Sequence, residues 1–204
     1  MSEKLALVLL FWGLLSLPLA AQQQSYTLAE ESSVSVVGTS TMHDWTATST
    51  DIRDEVKLKA SLSSLNESLM GSSIGSVSLR IPVKSLDGGR GNIMNDKIRK
   101  ALKASAYPDI LYSMTTGNLG DISPGETGLF SIETMGSLAI AGVEKKVMIQ
   151  VSGRLMDNKG YFFEGQYKTK MTDFDIEPPS ALFGQIQTDD EIIIKFSLTL
   201  YPEN

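Results

Sequence analysis

The sequence predicts an all-β protein, a closed antiparallel β-barrel of about eight strands with one amphipathic helix. Three features carry that expectation. Apolar and polar residues alternate in segment after segment, turn-forming residues separate the segments, and one stretch alone follows a helical period.

The first element stands outside that fold. Lys4 precedes an apolar run from Leu5 to Ala20, which gives way through Ala21 to three glutamines, Gln22 to Gln24. This is the three-part plan of a signal peptide over residues 1–21, leaving 22–204 as a single domain. The run is shorter than the ~20 residues a bilayer-spanning helix needs, and Pro18 breaks its last turn. An exported protein without stable membrane insertion is expected. There is no cysteine, so neither a disulfide nor a lipid-modified N-terminal cysteine is available, and the core alone must hold the domain together.

The strands follow in order. Val34 and Val36 alternate with Ser33 and Ser35; Val56, Leu58, Ala60 and Leu62 with Lys57, Lys59 and Ser61; Val77, Leu79 and Ile81 with Ser78 and Arg80. Each buries one face, because successive side chains of a strand point to opposite sides. Leu129 to Ile140, Val147 to Val151 and Tyr161 to Thr172 continue the series, and Ile192, Ile194, Phe196, Leu198 and Leu200 form the last strand. Ser123-Pro124-Gly125, Ala141-Gly142 and Asp157-Asn158-Lys159-Gly160 supply turns. From Asn92 to Ser105 the apolar residues Met94, Ile98, Ala101 and Leu102 fall at i, i+4, i+7 and i+8, which predicts one amphipathic helix ending before Pro108. Many antiparallel strands with one helix leave sheet edges to manage, and closure into a barrel removes them.

The formal net charge is −6, with the acidic residues dispersed. That balance argues against nucleic acid or an anionic membrane as partner. The one histidine, His43, stands beside Asp44 and Trp45. With no cysteine, no Gly-x-Ser-x-Gly elbow and no further imidazole, neither a nucleophilic triad nor a metal site is expected. The plain reading of His43 is a hydrogen bond at a barrel mouth; if it acts, head-group contact suits it better than catalysis. Asp173, Asp175 and Glu177 recur at every second position, so on a strand they would share a face; a hard cation could bridge them, but the spacing lacks the loop such a site needs and a solvated face is the better reading. Gly88-Gly89-Arg90-Gly91 reads as a flexible loop, or as amides and a guanidinium able to hold a phosphate.

Four ordered segments carry a resemblance over Tyr26 to Leu200. They are Ser32 to Val36 with Gly38 to Trp45; Leu86-Asp87-Gly88-Gly89 with Tyr107-Pro108-Asp109-Ile110; Gly136 to Val143 with Lys146; and Thr172 to Pro179. On these the chain resembles the YceI-like family, exported lipocalin-like proteins that bind polyisoprenoid lipids. The resemblance implies an elongated, closed barrel with an apolar tunnel for an isoprenoid chain and a periplasmic location; a binding protein rather than an enzyme, with no cofactor beyond such a lipid, is expected, either as a monomer or as a homodimer. The chain departs from the family at Asn92 to Lys97, where many members carry a histidine, so no head-group contact is carried over to that stretch. The tunnel lining expected here is Val36, Trp45, Leu79, Ile81, Ile98, Leu102, Tyr112, Ile140, Phe162, Phe174, Leu182, Phe183 and Phe196. His43, Asp44 and Arg90 are the expected head-group contacts. Leu182 and Phe183, large apolar residues in a loop after two prolines, suggest a binding entrance, with packing beneath the barrel end as the rival reading. A barrel of this size is also filled by side chains alone in some proteins, and alternation does not distinguish core from tunnel.

Overall fold

The computed structural model describes residues 23–59, 67–123, 128–156, 160–181, 183 and 185–203. The expected signal peptide lies outside them, as do Ala60, Leu62, Pro124, Gly125, Asp157 to Lys159 and Leu182. The strands in chain order are β1 (Gln23–Leu28), β2 (Ser33–Ser40), β3 (Trp45–Ser49), β4 (Arg53–Lys59), β5 (Gly75–Pro82), β6 (Asp109–Ile122), β7 (Leu129–Ile140), β8 (Val143–Leu155), β9 (Tyr161–Lys170), β10 (Ser180–Ala181) and β11 (Ile186–Pro202). One α-helix, α1 (Asn92–Ala101), stands between β5 and β6.

All the pairings are antiparallel. Eight strands close the ring in the order β1-β4-β5-β6-β7-β8-β9-β11 and back to β1. The long β11 makes closure possible by changing partners along its length: its C-terminal residues pair with β1, while Thr188 to Ser197 pair with β2, which carries β3 on its far edge. Ser32, at the change-over, is 2% exposed; its hydroxyl donates to the Thr199 carbonyl and accepts from the Thr199 amide. A buried polar backbone at the switch is thereby satisfied.

The two ends of the barrel differ. At one end an aromatic cluster closes the interior: Tyr161 lies 5.5 Å from Tyr26 edge-on and 5.8 Å from Phe163 in a stack, and Phe130 meets both Tyr161 and Phe163 edge-to-face. Burial pushes the Tyr161 phenol well above its ordinary range, with Tyr26 adding to the shift. At the other end the segment from Val83 to Pro108, α1 included, and the segment after β9 gather around a second apolar cluster that contains Leu86, Met171, Phe174 and Ile176.

Several expectations on boundaries change, for physical reasons. The helix stops at Ala101 instead of Ser105, because Lys103 turns left-handed (φ 53°) and the Ala104 amide reaches back to the Arg99 carbonyl, with Lys103 bonding Lys100. That is a Schellman end, with lysine where glycine is commoner. The strand expected through Thr172 ends at Lys170 and becomes a short 3-10 turn, Thr172–Phe174, followed by left-handed Asp175. Strand β6 carries no clean alternation because its parity breaks: Ile110, Tyr112 and Met114 point inward, an irregularity between Met114 and Thr116 shifts the register, and Gly117 and Leu119 are then the buried positions. The short β1 and β3 carry too few apolar positions to announce themselves.

Candidate ligand-binding site

The interior is hollow. A cavity of about 1140 Å³ runs up the barrel from Phe163, Leu198 and Leu200 to a mouth beside α1, slightly above the range typical of small-molecule pockets. Its walls follow from strand alternation. Val34 and Val36 on β2, Val77, Leu79 and Ile81 on β5, and the even-numbered residues of β11 from Ile192 to Leu200 all face it. Val36, Leu79, Ile149, Val151, Ile194 and Phe196 stay only half-buried although they point inward, because they border open space instead of one another.

Two of the aromatic linings depend on glycine across the ladder. Gly38 pairs with Trp45 and Gly165 with Phe196. A Cβ on Gly38 would sit 2.4 Å from the Trp45 ring, and one on Gly165 2.5 Å from that of Phe196. Each ring lies over bare backbone, and the Trp45 indole N–H donates to the Thr39 carbonyl at 3.2 Å. Two interior hydroxyls are paired: that of Thr134 donates to the Ile149 carbonyl at 2.9 Å, and that of Tyr112 to Thr134 at 3.4 Å. Burial raises the Tyr112 phenol, so it stays neutral.

Of the residues expected to line a tunnel, Val36, Trp45, Leu79, Ile81, Ile98, Leu102, Tyr112, Ile140, Phe174 and Phe196 border the cavity. Phe162 does not. The parity of β9 puts Tyr161 and Phe163 inside and turns Phe162 outward beneath the Arg154 guanidinium, 5.4 Å from the ring centre. Phe163 takes the place assigned to it, and since Phe163 shares the face of Tyr161 and Tyr167, alternation could have shown this. Phe183 is also a correction: it is fully exposed, at positive φ, and its ring faces solvent instead of the cavity. Thr134, Tyr167, Ile149 and Ile194 line the cavity unforeseen.

At the mouth, His43 and Arg90, two of the three expected head-group contacts, hydrogen-bond to each other, and Asp44 contributes only its backbone. The Arg90 guanidinium lies 2.7 Å from His43 Nε2, and His43 Nδ1 lies 2.9 Å from the Asp44 carbonyl oxygen. A guanidinium only donates, so Nε2 accepts and the proton sits on Nδ1, donated to Asp44. The Asp44 carboxylate faces solvent outside the cavity; its backbone, not its charge, serves the site. Lys97, Lys100 and Lys103 from α1 and its end add further cations at the opening, which Asp175 and Glu177 also border.

Two candidate chemistries recede. The Gly88 amide donates to the Asn95 side-chain oxygen, and the Asp87 carboxylate accepts from the Gly89 amide and the Asn95 side-chain amide, which hold it below its ordinary range. The loop is thus clamped to α1, with two amides of the imagined phosphate cradle already engaged. Asp173 lies in the 3-10 turn, accepting from Thr169 and from the Lys170 amide, while Asp175 follows in a left-handed turn. The three carboxylates share no strand face, and no metal-binding cluster occurs among the described residues. Nor is any described helix long and apolar enough to cross a membrane.

Known proteins match this arrangement. The structure of BcnA from Burkholderia cenocepacia superposes with a TM-score of 0.63 at 19% identity, covering 85% of this chain and 99% of that one. A polyisoprenoid-binding domain from Saccharophagus degradans gives 0.66 at 14% identity over 88% of this chain and 99% of its own. The Campylobacter jejuni YceI protein gives 0.50 at 17% identity, covering 66% of this chain and 75% of that one. No curated protein sequence matches the chain. At such identities the superpositions establish the fold, while the YceI-like domain model matches residues 26–200, from the first barrel strand to the last, and so the chain belongs to the YceI-like family.

Proposed function

We propose that the protein is a carrier that sequesters an apolar lipid of the polyisoprenoid class, prenyl quinones included, in the barrel. The observation that carries this reading is a long apolar cavity closed at one end by aromatic packing and open at the other beside His43 and Arg90. Its chemistry suits burial rather than turnover: each methylene taken from water contributes about 0.8 kcal/mol, so a prenyl chain needs few polar contacts. Arg90 and His43 stand where a head group would emerge, with the Tyr112 and Thr134 hydroxyls the polar groups on the wall further in. The relative from Saccharophagus degradans, described as polyisoprenoid-binding, supports the ligand class. Residues 1–21 support export, and the periplasm is the proposed compartment.

Organic extraction of natively purified protein followed by mass spectrometry tests the ligand, together with fluorescence titration of a prenyl quinone and a prenyl alcohol. A co-purifying prenyl lipid, or saturable one-to-one binding, is expected. The absence of both would overturn the reading. The N-terminal residue of the protein recovered from the host separately tests export.

A further inference from the structure

The net charge of −6 conceals a local excess of the opposite sign. From Lys84 to Lys103 the segment carrying α1 holds six cations (Lys84, Arg90, Lys97, Arg99, Lys100 and Lys103) against two carboxylates, Asp87 and Asp96. Both carboxylates are engaged within the segment, Asp87 by the Gly89 amide and Asn95, Asp96 by Arg99 at 2.8 Å. Among the described residues Arg90, Lys97, Lys100 and Lys103 form no ion pair, and all four are exposed at the cavity rim. Two large apolar side chains stand among them. Ile93, on the first turn of α1, is 78% exposed, and Met42, in the β2–β3 loop, 66%; both border the same mouth.

Exposed apolar tips within a cationic arc match the head-group region of a bilayer, where the tips enter the acyl boundary and the lysines meet phosphates. We propose that this rim docks the protein on a membrane surface bearing anionic lipids, with α1 against the head groups and the cavity mouth facing the acyl chains. Asp175 and Glu177 also border the mouth, so the segment carrying α1, where six cations stand against two carboxylates, is the side that meets the head groups. Whole-chain charge argued against such a partner; the fold reverses that by collecting the cations on one rim. The use assigned to docking, exchange of ligand without passage through water, rests on the lipid-carrier reading, whereas the docking itself does not.

The test is co-sedimentation of the mature chain with phosphatidylcholine vesicles, with and without about 30 mol% phosphatidylglycerol. Partitioning onto the anionic vesicles is expected to be at least about tenfold stronger and to weaken with salt. Each lysine near an anionic surface contributes about fivefold, so Lys100→Glu/Lys103→Glu should lower partitioning by more than about twentyfold. Lys168→Glu/Lys195→Glu, an equal charge change on the outer wall of β9 and β11, should lower it far less, and Ile93→Asp should lower it with only one added charge. No preference for anionic vesicles, or equal losses from both lysine pairs, would overturn the proposal. So would a dimer that Ile93→Asp dissociates while vesicle binding persists, since the face would then serve a second copy. A wild-type chain that docks yet binds no prenyl lipid refutes the carrier reading alone; one that binds prenyl lipid yet does not dock refutes docking alone.

Discussion

Replacing Val151 by tryptophan separates a hollow barrel from a filled one. Val151 projects from β8 into the cavity and is half-buried. The substitution adds about seven heavy atoms to the side chain, and in a close-packed interior such an insertion costs about 1–3 kcal/mol or more. Here the indole enters open space, so the denaturant midpoint should stay within about 1 kcal/mol of wild type in stability. Leu119, which is 1% exposed in the packed cluster and does not border the cavity, is the comparison: Leu119→Trp should incur the full overpacking cost. Ligand binding should respond in the reverse sense. The indole displaces several methylenes of a prenyl chain at about 0.8 kcal/mol each, which amounts to roughly 2–5 kcal/mol and weakens binding by about thirty- to several-thousandfold. Urea unfolding with fluorescence titration of a prenyl quinone reads both effects. If Val151→Trp destabilises as much as Leu119→Trp and leaves quinone binding unchanged, the cavity is not the binding site.

Three further outcomes follow from the packing and electrostatics. Phe174 is 0% exposed where the 3-10 turn closes over the second cluster, so Phe174→Ala should cost about 3–5 kcal/mol in urea unfolding. A Cβ on Gly153 would fall 2.3 Å from the Phe130 ring; Gly153→Ala should lower Tm, and combining it with Phe130→Leu should restore part of the loss, because the ring is what the methyl meets. The raised Tyr161 phenol makes the folded state hold its proton more tightly than the unfolded chain, so its contribution is fully present below the ordinary phenol value of 10.0 and is lost as pH rises above it. Thermal scans from neutral pH past 10 should show an alkaline fall in Tm that Tyr161→Phe diminishes.

Much of the site was legible in strands that keep strict alternation. Val36, Leu79, Ile81 and Phe196 lie on such strands, and all four face the cavity. Misreadings arose where parity was ambiguous or broken. Phe162 and Phe163 are adjacent aromatics, and the choice between them turns on which parity of β9 faces inward: Tyr161 and Tyr167 share the Phe163 face, and the pairing with β8 and β11 turns that face into the barrel. The carboxylates after β9 were spaced like a strand, yet the chain turns there because Phe174 must reach the core.

The sequence by itself determined that this is a barrel with one helix, since periods of two and of 3.6 are local properties of side-chain direction, and it placed the start of the helix after Gly91, whereas its end at Ala101 was set by the left-handed turn at Lys103 and not by Pro108. Only tertiary structure decided that the barrel is hollow. Alternation says which side chains point inward, while the space left between them depends on strand stagger and on β11 changing from β1 to β2 at Ser32, relations among residues far apart in the chain. The mouth was decided in the same way. His43 and Arg90 are separated by forty-seven positions in sequence and by 2.7 Å in space, and a chain of net negative charge acquires a cationic rim because one helical segment folds across its opening.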